Sequence, residues 1–152
     1  MSLSVGQVAP DFKLKNSEGE VVSLSDFRGK KVVVVFFPFA FTGICTAELC
    51  AIRDNVDNFK DEDTVILSIS CDSAPTLKNF KEQENFIHIL LSDFWPHGEV
   101  SKAYGVFLEE RGMATRGTFV IDRQGVIQWL VINEPGAARS TADYRDALAK
   151  IG

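Results

Sequence analysis

"KKVVVVFF", residues 30–37, is apolar from its third position on, with no alternation of apolar and polar side chains. A strand with one wet face alternates, whereas a strand covered on both faces is apolar throughout, so this run predicts a central strand with helices on both sides of its sheet. A second run of the same kind, "TVILSIS" at 64–70, lies further along the chain. Between them Thr46 to Phe59 places Leu49, Ile52, Val56 and Phe59 at helical spacing, on one side of a predicted helix. Strand, helix and strand in that order form a crossover, and the fold class expected from it is α/β.

Outward from this unit, "DFKLKNSEGEVVSL" at 11–24 alternates on both sides of "NSEGE" and reads as an N-terminal β-hairpin. "APTLKNFKEQEN" at 74–85 reads as a helix and "HILLSD" at 88–93 as a short strand. "GTFVIDRQGVIQWLVI" at 117–132 reads as two strands joined at "DRQG", and a last helix is expected over Thr141–Ile151. No repeat, low-complexity tract or linker interrupts the chain, and 152 residues with 45% hydrophobic content suffice for one core, so a single domain over 1–152 is expected.

The net charge of −5 is spread over scattered residues, so neither nucleic acid nor a membrane surface is an expected partner. The beginning "MSLSVGQVAP" has neither a basic start nor an apolar stretch, and a cytoplasmic protein is expected. Three cysteines, an odd count, argue against a disulfide framework and for thiols that are reactive or simply buried. Two of them, Cys45 and Cys50, lie in "PFAFTGICTAELC" at 38–50, directly after the first apolar run. Pro38 stops the strand, and Cys45 falls in the first turn of the following helix, where free N–H groups and the helix dipole favour a thiolate over a thiol. Thr42 is placed to contact that sulfur or to cap the helix. The same positions also suit a small buried cysteine behind an ordinary cap, and the spacing alone leaves both readings open.

Here the residues resemble the peroxiredoxins, thiol peroxidases with a thioredoxin-like fold and the pattern P-x-x-x-T-x-x-C, matched by Pro38, Thr42 and Cys45. The resemblance extends over "APDFKL", "FFPFAFTGIC", "LLSDFWPHGEVSKAYGVF" and "RGTFVIDRQGVI", and "AFTGIC" and "SDFWPHG" are most similar to the alkyl hydroperoxide reductase E type. It implies a central mixed β-sheet flanked by helices. It implies that Cys45 attacks the peroxide, that Thr42 contacts it, that Arg116 brings positive charge beside the sulfur, and that Glu48 holds that arginine. It also implies hydrogen peroxide, organic hydroperoxides or peroxynitrite as substrates, thioredoxin, a mycoredoxin-like protein or a low-molecular-weight thiol as reductant, and a homodimer. No cofactor and no metal are expected, since His88 and His97 lie far from the cysteines without ligand spacing.

Lowering a thiol pKa explains little of a peroxidase's speed. A drop from about 8.5 to about 6 raises the thiolate fraction at pH 7 roughly 30-fold, while intrinsic nucleophilicity falls about 10-fold. Most of the acceleration must come from donors aimed at the breaking O–O bond, a task suited to Arg116, Thr42 and the Cys45 N–H. Two other classes compete with a peroxidase. A thioredoxin-like disulfide oxidoreductase would want C-x-x-C, but "TGIC" has Thr42 at the first cysteine position. A non-enzymatic redox switch would oxidise Cys45 without turnover.

For Cys50 the resemblances divide. The alkyl hydroperoxide reductase E type usually works with one cysteine, while C-x-x-x-x-C resembles the bacterioferritin-comigratory (peroxiredoxin Q) group, where the second cysteine resolves. Five helical residues separate the pair by about 7.5 Å along the axis, beyond disulfide reach, so the helix must open before a bond can form. Cys50 as a buried helix residue with no redox role remains the alternative. Cys71 closes "VILSIS" and reads as buried and inert, with a resolving role as its alternative. Phe94 and Trp95 read as core or dimer packing, and Phe37, Phe39 and Phe41 as either packing or surroundings for organic substrates.

Overall fold

The computed structural model describes residues 3–59 and 63–151, with the side chains of 56–59 excepted. Its elements are β1 (Lys13–Asn16), β2 (Val21–Ser23), β3 (Lys31–Phe36), α1 (Gly43–Phe59), β4 (Thr64–Ser70), α2 (Ala74–Glu84) and β5 (Ile89–Ser92), then α3 (Glu99–Ala103), β6 (Phe107–Leu108), β7 (Met113–Ala114), β8 (Arg116–Ile121), β9 (Ile127–Asn133) and α4 (Thr141–Ala149). Seven strands form one mixed sheet in the order β2-β1-β5-β4-β3-β8-β9. β3 lies parallel to β4 and antiparallel to β8, with Val35 opposite Ser68 on one side and Thr118 on the other.

Every residue of β3 is buried, as its unbroken apolar run requires, and its side chains divide between two cores. Val33 and Val35 pack with Leu49 and Ile52 of α1, Leu77 and Phe80 of α2, and Tyr144, Ala147 and Leu148 of α4. Val32, Val34 and Phe36 pack on the other face with Phe12, Val100, Tyr104 and Val106. Alternate residues of one strand thus feed opposite faces, the period-2 geometry of a pleated strand. Val56 and Phe59, expected on the buried side of α1, have side chains outside the described residues.

The predicted crossover, hairpin and paired late strands are all present. α1 starts at Gly43, which puts Cys45 in its first turn as expected, and α4 ends at Ala149, short of Ile151. Phe94 and Trp95 are not core residues: they are 51% and 80% exposed on the loop after β5. Phe37 is fully buried and is packing, whereas Phe41 is half exposed against the Phe80 ring, with centroids 4.9 Å apart. Among the described residues no helix is long and apolar enough to cross a membrane.

Candidate active site

The strand-to-helix turn sets the site. Phe37 still donates its N–H to the Ile69 carbonyl at 3.0 Å, and Pro38, buried and without an N–H, ends the pairing of β3. The turn is pinned by Asp72, whose Oδ2 accepts from Ala40 N–H at 2.8 Å and from Ser70 Oγ at 2.6 Å. Phe41 adopts φ 67°, a left-handed conformation unusual for a residue with a Cβ, and swings the chain into α1. Thr46 N–H makes the first helical bond, to the Thr42 carbonyl at 2.9 Å, so the N–H groups of Gly43, Ile44 and Cys45 precede the helical ladder. The Thr42 hydroxyl neither caps this end nor bonds the sulfur. It is exposed and donates to the Phe39 carbonyl at 2.8 Å.

Cys45 is fully buried in this first turn. Arg116, the first residue of β8, points Nη1 at Cys45 Sγ (3.2 Å) and at Glu48 Oε1 (2.6 Å), while its Nε donates to the Pro135 carbonyl at 2.7 Å. The guanidinium is therefore fixed from two sides, and the nitrogen that bonds Glu48 also faces the sulfur. Glu48 follows Cys45 by three residues and shares its helix face, which brings the carboxylate to the same guanidinium nitrogen.

A second arginine completes the site. Arg139, in the segment before α4, donates its N–H and Nε to Glu48 Oε2 at 2.6 and 3.0 Å and Nη2 to Oε1 at 2.8 Å. Its Nη1 reaches the carbonyls of Phe36 (2.7 Å) and Gly117 (2.9 Å) and the Thr118 hydroxyl (3.1 Å), tying together the ends of β3 and β8. Thr118 Oγ1 lies 3.0 Å from Tyr144 Oη, which extends the network to α4. Burial pushes the Glu48 carboxyl up, but the Arg139 hydrogen bonds and charge, joined by the charge of Arg116, outweigh it and hold Glu48 below the usual carboxylate value. Two buried guanidiniums against one carboxylate leave one net positive charge, a setting suited to an anion beside Arg116. Sequence reasoning missed Arg139. It belongs to no motif and lies 91 residues from Glu48, its partner.

The other singled-out residues lie outside this cluster. Cys50 is half buried one turn further along α1 and donates its S–H to Glu84 Oε1 of α2 at 3.4 Å. Burial, the Glu84 hydrogen bond and nearby acidic charge push its thiol up against the opposing pull of Arg53. Cys71 is buried, and desolvation together with the Asp93 charge pushes it up to about 12. His88 is buried with Nδ1 3.2 Å from Ser68 Oγ, and desolvation lowers it to about 4, so it is neutral at ordinary pH. His97 fastens its loop, with ring nitrogens 3.1 and 2.7 Å from the carbonyl oxygens of Phe94 and Gly112. In β8, Gly117 serves a close approach, since a Cβ there would meet Val106 Cγ1 at 2.7 Å.

The family model of the AhpC/TSA family matches residues 5–130. Alkyl hydroperoxide reductase E of Mycobacterium tuberculosis is 49% identical over 150 residues, which cover 98% of each chain. Peroxiredoxin Bcp of Bacillus subtilis is 37% identical over 131 residues, 82% of each chain. Among solved structures, Enterococcus faecalis AhpC superimposes with a TM-score of 0.89 at 27% identity, over 99% of this chain and 92% of the other. Peroxidoxin BcpB of Mycobacterium tuberculosis gives 0.86 at 28% identity over 99% of each. The mixed sheet with helices on both faces is thus the thioredoxin-like fold of these peroxiredoxins.

Proposed function

We propose that this chain, which belongs to the AhpC/TSA family and is a thiol-dependent peroxidase, uses Cys45 as the attacking sulfur and Cys50 as the thiol that resolves the product. The observation that carries the first half is Cys45 Sγ at 3.2 Å from a guanidinium that two other groups hold still. The Cys45 thiolate attacks the terminal oxygen of a hydroperoxide, the O–O bond breaks, and the remaining oxygen leaves as alkoxide or hydroxide and takes up a proton. Sulfur is left as a sulfenic acid. Arg116 is placed to stabilise charge as it passes from sulfur to the leaving oxygen, which is where catalytic binding energy counts. With its own hydrogen given to Phe39, the Thr42 oxygen is free to accept from the peroxide O–H.

Cys50 then attacks the Cys45 sulfenic acid to give an internal disulfide, and thioredoxin, a mycoredoxin-like protein or a low-molecular-weight thiol reopens it. A reducing compartment such as the cytoplasm is the setting this cycle needs. Hydrogen peroxide and organic hydroperoxides, with peroxynitrite by the same chemistry, are the substrates it accommodates. A homodimer is the expected assembly, and exposed Phe41, Phe94 and Trp95 are apolar surface for it to cover. The unbroken run of α1 through both cysteines favours a second reading, a one-cysteine cycle in which an outside thiol reduces the sulfenic acid directly.

Intact mass spectrometry after one equivalent of peroxide separates the two. A Cys45–Cys50 bridge accompanied by loss of helical signal is the expected result, and a lasting sulfenic acid selects the one-cysteine cycle. Cys45→Ser is expected to lose turnover with any hydroperoxide. Activity retained in that variant, with circular dichroism unchanged, overturns the assignment of Cys45.

A further inference from the structure

Cys50 stands in a charged environment of opposite sign to that of Cys45. Its Sγ lies 3.4 Å from Glu84 Oε1, at the last residue of α2. That carboxylate is itself steadied by Arg53, one turn on from Cys50 in α1, whose Nη1 donates to the Glu84 backbone carbonyl and lies 3.9 Å from Oε1. Arg53 also pairs with Asp54 at 2.8 Å, so the groups around the sulfur are two carboxylates against one guanidinium. The charged groups acting on Cys50 are thus Glu84 from α2, and Arg53 and Asp54 from its own helix. A carboxylate that accepts from a thiol stabilises the neutral form and opposes the anion.

We propose that Glu84 is a positioning residue for resolution: it holds the Cys50 proton while α1 is helical, so Cys50 becomes a nucleophile only when opening of the helix carries it away from the carboxylate. The inference rests on the reading of Cys50 as the resolving thiol. It gives helix opening two effects at once. Opening brings the sulfurs within bonding distance, which the helix forbids, and it removes the group that suppresses the thiolate. The released proton passes to solvent. The Cys50 thiolate then attacks Cys45 Sγ, the S–S bond forms as the S–O bond of the sulfenic acid breaks, and hydroxide leaves and is protonated to water. Sulfenic sulfur is reduced and Cys50 sulfur oxidised, with no outside oxidant. Before oxidation the same contact keeps Cys50 from competing with Cys45 for electrophiles.

The test is the alkylation rate of Cys50 in the reduced protein, followed site by site by mass spectrometry with iodoacetamide from pH 6 to 10. In Glu84→Gln, Cys50 is expected to alkylate roughly three- to tenfold faster at pH 7.5, with its pH profile moved to lower pH and its high-pH plateau unchanged. Glu84→Ala is expected to do the same. An unchanged rate overturns the proposal, and so does a rise confined to the plateau, because loosened packing raises accessibility without moving the profile. In parallel, disulfide formation after one equivalent of peroxide is expected to quicken in Glu84→Gln. If the parent protein forms no Cys45–Cys50 bridge, the resolving role falls, and the alkylation profile still decides whether Glu84 restrains the thiol.

Discussion

Cys45 and Cys50 share one helix and differ in almost everything else. Cys45 is sealed in its first turn against a guanidinium, in a cluster whose two arginines outnumber its single carboxylate. Cys50, five residues on, is half buried and donates to a carboxylate. The residue type is the same, so the contrast comes from position and neighbours: Cys45 lies among the unladdered N–H groups of the first turn, β8 and the segment before α4 bring arginines to its side, and α2 brings Glu84 to Cys50. The lesson is that two cysteines on one helix can face opposite electrostatic surroundings, set by tertiary charge together with their place along the helix.

Three changes would break or sharpen this contrast. Arg116→Lys should have the largest effect. An ammonium cannot span Glu48, the Pro135 carbonyl and the sulfur in one plane, and Cys45 oxidation in stopped-flow should slow about 100-fold. If the deficit vanishes when rates are compared at equal thiolate fraction, Arg116 acts only on ionisation and the transition-state account is wrong.

Arg139→Leu should come next. It strips Glu48 of the two hydrogen bonds made by the guanidinium and leaves a buried carboxylate with Arg116 and the backbone N–H of residue 139, a change that costs on the order of 3–5 kcal/mol in comparable buried pairs. Denaturant unfolding measures it. The pH dependence carries the sign: because the folded-state Glu48 value is depressed, its contribution is fully present above the unfolded carboxylate value near 4.5 and is lost as pH falls through the lower folded value. The parent protein should therefore lose stability in that acid window while Arg139→Leu, already without the guanidinium's share of the contribution, loses less. Parallel acid profiles would show that the Glu48–Arg139 pair does not govern this behaviour.

Cys71→Ser should have the smallest effect. With its thiol pushed up to about 12, Cys71 takes no part in the contrast, and peroxide turnover should stay within about twofold of the parent. A large loss of turnover in a folded Cys71→Ser protein would assign resolution to Cys71 and remove Cys50 from the cycle.

The sequence carried the long, buried elements well, because β3 and β4 lack charged residues past Lys31 and are dominated by apolar side chains, and α1 shows its face through Leu49 and Ile52. Short elements were not legible. α3 has five residues, and β6 and β7 have two each, too few for any period to show. At the site, Cys45, Glu48 and Arg116 were readable because local spacing and a resemblance pointed to them. The orientation of Thr42 depends on where the Phe39 carbonyl turns after a left-handed Phe41, which no spacing rule reports. Arg139 was invisible because its meaning lies in groups from three distant elements. For Phe94 and Trp95, read as core or dimer packing, the core half fails because both stand in the open on a loop.

The dependence of the site on Arg139 also sets a schedule. A ribosome delivers Cys45 and Glu48 early, Arg116 about 70 residues later and Arg139 later still. Until most of the chain has emerged, the sulfur has no guanidinium beside it and the carboxylate has no partner. The nascent chain thus carries a sulfur without its guanidinium, and closure of the C-terminal segment completes the charge cluster beside it.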